Sequence, residues 1–314
     1  NLIIIVLTLY LLRYCIVQPL LQLNGLELQL TNVHFFLLVM STVFLTAAGY
    51  VINDYFDRKT DMVNRPDKVI VGKKIKRRTA MLMHIVLNVL GIVLGLYISY
   101  YIGYLSFGII FILVAGILWF YSTTYKRQFL IGNIIVALLT GLVPLMVIVF
   151  EIPLLNQNYG KIIILRDINF VNIIAWTGAY GIFAFFMNLI REIIKDAEDF
   201  EGDSAFGRNS MPIVLGQDWT KKIIALLIAI AVLGLLGTYF IFLLRDASGN
   251  IDWISMVYVV VFLIIPLFYL LFLVADAKTK EGFHKASNLS KVIMLTGILY
   301  MPVFRFVVFR VFNI

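Results

Sequence analysis

The 314-residue chain is 61% hydrophobic and only 14% charged, against roughly 45–50% apolar and about 25% charged in a soluble globular domain. That balance excludes an ordinary soluble domain, a disordered chain and a collagen-like one. A net charge of +8 would raise nucleic acid as a partner for a soluble protein. Here the apolar residues fall in runs of the roughly 20 residues that a lipid-crossing helix needs, so the excess reads as positive charge gathered on one side of a membrane and no nucleic-acid partner is called for.

Nine such runs follow one another: 1–23, 35–52, 79–101, 104–122, 131–150, 169–190, 222–244, 253–274 and 288–310. Only helices or closed barrels satisfy their backbones in lipid. Barrel strands alternate over about ten residues, whereas these runs are continuous and twice as long. The expected fold is therefore all-α: nine transmembrane helices in a polytopic membrane protein, with a single domain over 1–314. The chain starts at Asn1 without an initiator methionine, so it is expected to continue N-terminally. Its first run has no basic flank and no small-residue cleavage site, and reads as a helix rather than a signal peptide. Cys15 is the single cysteine, so no intrachain disulfide is possible. His34, His84 and His284 are far apart and lack the spacing of a zinc site.

The loops supply an orientation. The loops after the second, fourth, sixth and eighth runs, with their edges, hold twenty basic residues; the opposite loops hold Lys161, Arg166 and Arg245; Arg13, Arg305 and Arg310 lie in the first and last runs. This bias puts the basic side in the cytoplasm. It makes the protein multi-pass, in the plasma membrane if the source is prokaryotic. The run Lys73–Arg78 reads as a membrane-surface flank. Gly91 and Gly95 form a small-xxx-small pair suited to helix packing. The segment 151–168 is expected to be the one long extracytoplasmic loop, with a short interfacial helix or strand at Ile162–Leu165.

Two acidic clusters carry the chemistry. The second run ends in Asn53, Asp54, Asp57 and Asp61; the sixth ends in Asp196, Asp199 and Asp203. In both, the carboxylates recur at i, i+3 and i+7, which is one face of a helix over two turns. A single solvated acidic helix end costs little, but two with the same spacing on the same side point to facing halves of one cavity. Hard oxygen donors suit Mg²⁺, which keeps several waters and takes one or two carboxylates together with substrate phosphate oxygens. Basic residues interleave with the acids: Arg65 and Lys68 after the first cluster, Lys126 and Arg127 after the fourth run, and Lys195 and Arg208 around the second cluster. A cation transporter would be hindered by these charges, whereas a metal–diphosphate site needs them. Transport would also leave carboxylates near the middle of the predicted spans, and none is found there.

At these residues the sequence resembles the UbiA superfamily of intramembrane prenyltransferases, over nearly the whole chain. The first signature, N-D-x-x-D-x-x-x-D, is met by Asn53, Asp54, Asp57 and Asp61 and continues as Asn64-Arg65-Pro66. The second, D-x-x-D-x-x-x-D, is met by Asp196, Asp199 and Asp203. Tyr121 and Lys126, followed by Gly132-Asn133, match the element after helix four. The resemblance implies that Asp54, Asp57, Asp61, Asp196, Asp199 and Asp203 hold Mg²⁺. It also implies that a prenyl diphosphate donor binds through that metal and through Asn53, Arg65, Lys68, Tyr121 and Lys126, while Lys195 and Arg208, which flank the second cluster, are the basic contacts expected for a phosphate on the acceptor. Asp54, Asp57, Asp196, Asp199 and Lys126 are then the catalytic set. Tyr55, Tyr121 and Tyr125 could offer ring faces to an allylic cation, and the isoprenoid tail would lie in an apolar tunnel open to membrane lipid. Arg191–Asp196 and Glu201-Gly202-Asp203 look most like the branch that alkylates geranylgeranylglyceryl phosphate. The stretch Asp67–Gly72 departs from that branch, which leaves open a lipid-like or an aromatic acceptor. Asn1 aligns with an early asparagine of the family.

Overall fold

The computed structural model describes residues 2–243 and 251–312, with the side chains of Lys68, Phe242, Val311 and Phe312 outside the description. Among the described residues, nine helices are long and apolar enough to cross a membrane: α1 Leu2–Leu23, α2 Asn32–Asn64, α3 Arg77–Tyr101, α4 Leu105–Thr123, α5 Ile131–Leu165, α6 Val171–Glu198, α7 Gln217–Ile241, α8 Trp253–Asp276 and α9 Lys280–Arg310. The expected all-α, nine-span architecture is what the chain adopts. Asn1 and Arg245 lie outside the described residues.

Neighbours in sequence pack as neighbours in space. Helix α2 lies along α3, α5 along α6, and α6 contacts α7 and α9. The Gly91 and Gly95 pair is a close-packing point. Ser41 donates to the Gly91 carbonyl at 2.7 Å, and a Cβ on Gly95 would lie 2.3 Å from the Phe111 ring. Small residues let helices approach where lipid supplies no hydrophobic drive between them. The buried apolar residues form two clusters, one centred on α1, α2 and α5, the other on α6, α7, α8 and α9.

Several helices run further than their apolar stretches. Helix α2 continues from the predicted end at residue 52 to Asn64, and α6 from 190 to Glu198. Both extensions are polar, so hydropathy does not register them, while their backbone hydrogen bonds continue. The segment 151–168 differs from the expected loop: α5 is helical through Leu165, with Pro144 and Pro153 inside it. Proline is tolerated in membrane helices because neighbouring groups satisfy the freed carbonyls.

This lengthening moves Glu151 from a predicted loop into the body of α5, correcting the expectation that no carboxylate lies near the middle of a span. Glu151 and Arg13 are each 1% exposed and face each other at 3.9 Å. Glu151 also accepts from the backbone N–H of Gln29 and, at 3.1 Å, of Leu30. Arg13 donates to the Leu30 carbonyl and stacks over Phe35, 4.3 Å from its centroid. Arg13 sits in a π-helical turn, Leu12–Val17, within α1. The group pins the α1–α2 connection against α5, at the opposite end from the acidic clusters.

Candidate active site

Helices α2 and α6 both end at the acidic face of the bundle. Asp54, Asp57 and Asp61 share one continuous helix, as their spacing predicts. The second cluster is less regular. Helix α6 stops at Glu198, Asp199 caps it, and a short helix, Phe200–Ala205, carries Asp203. The i→i+4 bonding nevertheless persists, with the Asp203 N–H donating to the Asp199 carbonyl at 3.1 Å, so the three carboxylates stay on one side.

The two ends are clasped by Asn64. Its side-chain amide donates to the Asp199 carbonyl at 3.1 Å, and its oxygen accepts from the Gly202 N–H at 2.9 Å. A Cβ on Gly202 would lie 2.5 Å from that amide, so the clasp requires glycine there. Between the ends lies a small polar cavity of about 30 Å³. Asp57, Thr60, Asp61 and Asn64 line it from α2, and Glu192, Lys195, Asp196, Asp199 and Asp203 from the second end. Tyr121, Lys126, Gly132, Asn133 and Arg208 complete it.

Asp57 is its electrostatic centre. It is 4% exposed and accepts from both Lys126 and Arg208. Lys126 also donates to Asn53 Oδ1 at 2.9 Å. Arg208 reaches Asp203 as well, at 3.3 Å, so one guanidinium spans both acidic clusters. The turns carrying these cations are joined by the Asn209 N–H, which donates to the Arg127 carbonyl at 3.0 Å. Burial works against the charge on Lys126 and on Arg208. Asp57, together with Tyr121 for Lys126 and with Asp203 for Arg208, nevertheless holds both pKa values above their ordinary range. Burial pushes the Asp203 carboxyl up to about 6, with Arg208 opposing the shift.

Arg65 is paired with Asp199, its Nη2 2.9 Å from each carboxylate oxygen. Burial opposes its charge too, but Asp199 and Glu198 raise its pKa. Asp196 accepts from Asn133 at 2.8 Å. Glu192 is held between Arg191 at 2.7 Å and Lys195 at 3.9 Å.

Of the residues singled out from sequence, Asp57, Asp61, Asp196, Asp199, Asp203, Tyr121, Lys126, Lys195 and Arg208 line the cavity directly. Asp54, Asn53 and Arg65 are not in its lining, although Asn53 and Arg65 are bonded to residues that are. The Lys68 side chain lies outside the described residues. Tyr55 packs on Phe56 and under Arg77, and Tyr125 lies near Phe120, so neither lines the cavity. Sequence reasoning missed Glu192, Thr60 and the structural use of Asn64 and Asn133. The signal for Asn133 was a polar side chain at the start of an apolar run.

The donor set fits a hard divalent cation: carboxylate oxygens from two helix ends around one polar cavity. Among the described residues, no three His, Cys, Asp or Glu side chains converge closely enough to enclose an ion alone. A separate apolar crevice of about 540 Å³ lies between α6, α7, α8 and α9, lined by residues such as Phe183, Phe186 and Leu263. It shares no lining residue with the acidic cavity.

Comparison with known proteins shows the family. The UbiA prenyltransferase family pattern matches residues 23–292. The digeranylgeranylglyceryl phosphate synthase of Methanosphaera stadtmanae is 31% identical over 252 residues, covering 80% of each chain. A solved digeranylgeranylglyceryl phosphate synthase is 27% identical with a TM-score of 0.58, covering 95% of this chain and 97% of that one. A UbiA homologue from Archaeoglobus fulgidus, solved with DMAPP and Mg²⁺, shares the fold at 16% identity and a TM-score of 0.55, covering 96% and 97%. The chain belongs to the UbiA prenyltransferase family and is a multi-pass integral-membrane prenyltransferase.

Proposed function

We propose that the protein transfers a prenyl group from a polyprenyl diphosphate to the hydroxyl of a glycerophosphate lipid, geranylgeranylglyceryl phosphate, in a Mg²⁺-dependent reaction on the cytoplasmic side. The observation that carries the reading is the Arg208 guanidinium shared by Asp57 and Asp203. It draws both acidic ends into one cavity where carboxylates and cations alternate. Support for the acceptor comes from the relatives of that activity, and support for the sidedness from the basic loops at the acidic end.

The carboxylates Asp57, Asp61, Asp196, Asp199 and Asp203, with Asp54 one turn away, would hold Mg²⁺. When bound, the ion supplies Lewis-acid stabilisation of the departing diphosphate. Lys126, Arg208 and Arg65 stay charged at any physiological pH and donate to diphosphate oxygens as negative charge grows on them. The allylic C1–O bond to diphosphate breaks as the acceptor hydroxyl oxygen bonds to C1. The hydroxyl proton passes to a cavity carboxylate or to a diphosphate oxygen. Among the described cations of the cavity, Lys195, 3.9 Å from Glu192, would meet the acceptor phosphate. Tyr121, which lines the cavity, would shield the developing cation from water.

A competition assay tests the acceptor. Purified protein receives geranylgeranyl diphosphate and Mg²⁺ with geranylgeranylglyceryl phosphate, 4-hydroxybenzoate and 1,4-dihydroxy-2-naphthoate together, and products are read by mass spectrometry. The expected product is the dialkylated glycerophosphate. Predominant ring prenylation would reject the lipid acceptor and leave the prenyl transfer standing.

A further inference from the structure

Glu198 lies off the i, i+3, i+7 stripe and is not in the lining of the acidic cavity. It is nonetheless buried, its side chain 4% exposed, as the last residue of α6. Its Oε1 is 3.2 Å from Arg65 Nη2 and 2.9 Å from His284 Nδ1. The same Arg65 nitrogen is 2.9 Å from both oxygens of Asp199. One guanidinium is therefore gripped by two consecutive carboxylates. The outer of these is in turn backed by a histidine from α9.

A helix tether does not account for this arrangement. Helix α9 is already tied to the end of α2 by Lys280, which donates to the Asn64 carbonyl, and α6 is tied to α2 through the Asn64 clasp. A buried carboxylate is a costly way to duplicate such contacts. What Glu198 adds is direction. An arginine side chain has many rotamers, and a second carboxylate beside Asp199 confines its head. Asp199 is itself a cavity carboxylate with other work to do. Among the described residues, the Glu198 carboxylate pairs with Arg65 and His284 alone, so its hold on Arg65 is independent of what Asp199 binds.

We propose that Glu198, backed by His284, is a positioning residue that aims Arg65 at the donor diphosphate and thereby sets donor affinity. The inference rests on the reading of Arg65 as a diphosphate contact. It predicts that losing the Glu198 charge acts on binding of the donor far more than on turnover.

The test is a double-mutant cycle between Glu198→Gln and Arg65→Ala. It is read as the donor KM and kcat, and as the Kd for geranylgeranyl diphosphate measured by calorimetry with Mg²⁺ and no acceptor. Glu198→Gln should raise donor KM and Kd by about three- to tenfold, with kcat and melting temperature near wild type. In the Arg65→Ala background it should raise neither further. His284→Gln, at a half-exposed position that tolerates change, should act in the same direction more weakly and also vanish in that background. Glu281→Gln, exposed on the same turn of α9, should be neutral. Equal losses of Glu198→Gln in both backgrounds, or a raised KM in Arg65→Ala but not in Glu198→Gln or His284→Gln, overturn the positioning role while leaving Arg65 as a donor contact. An unchanged donor KM in Arg65→Ala overturns that underlying assignment instead, and the positioning role with it.

Discussion

Lys126 and Arg65 illustrate what single residues reveal. From sequence, neither has an adjacent acid, and both read as free cations on the basic side. In the fold each is paired: Lys126 with Asp57, 69 positions away, and Arg65 with Asp199, 134 positions away. Separations of that size leave no periodic trace, so residue types were legible and partners were not. Glu192 and Glu198 were overlooked as well. Glu198 falls off the carboxylate stripe and gains Arg65 and His284 as partners only through packing, whereas Glu192 lies one turn before Asp196 on the same face and is paired with Arg191 and Lys195 of its own helix. For Lys126 the expected consequence is catalytic. Removing one charged hydrogen bond to phosphate costs about 1.5–3 kcal/mol, or roughly ten- to hundredfold in kcat/KM. Lys74, exposed in the loop after α2, is the control. Lys126→Ala should show that loss in a prenyl-transfer assay and Lys74→Ala almost none; equal small effects would reduce Lys126 to a determinant of topology.

At the scale of elements, the number of helices and their order were readable because lipid leaves one solution for a long apolar run. Their ends were not. A polar extension such as residues 53–64 of α2 carries no hydropathy signal, yet it is the part that bears the site. Helix α5 shows the opposite failure: the stretch 151–168, opening on Glu151, reads as a loop, while Arg13 from α1 and the backbone at Gln29 and Leu30 make the carboxylate tolerable inside the bundle. This pair should matter for stability and not for chemistry. Glu151→Ala leaves a buried guanidinium and two backbone donors without their partner, a loss of about 3–5 kcal/mol. In detergent it should lower the melting temperature markedly. Arg13→Met combined with Glu151→Met should recover part of it, because replacing both members removes the unpaired charge. Donor KM measured below the melting transition should stay at the wild-type value. A changed KM with an unchanged melting temperature would assign the pair to the site instead.

For the whole molecule, the repeated acidic spacing was the informative feature, since it implied that two helix ends four spans apart face one another. The folded chain brings them to one cavity and shares Arg208 between them. The clasp by Asn64, the break of α6 at Asp199 and the separation of the large apolar crevice from the cavity are products of packing that the spacing does not encode.

The central claim is that both acidic ends form a single metal-dependent prenyl-transfer site. Its most direct test follows product formation from geranylgeranyl diphosphate and geranylgeranylglyceryl phosphate by mass spectrometry. Wild type, Asp57→Ala and Asp199→Ala are each assayed in Mg²⁺, in EDTA and after Mg²⁺ is restored. The expected result is activity lost in EDTA and recovered with Mg²⁺ for wild type. Either single variant should be inactive while keeping its helical circular dichroism, since each lies at a polar helix end. Full turnover in EDTA, or wild-type turnover with one of the two clusters disabled, would contradict the shared site.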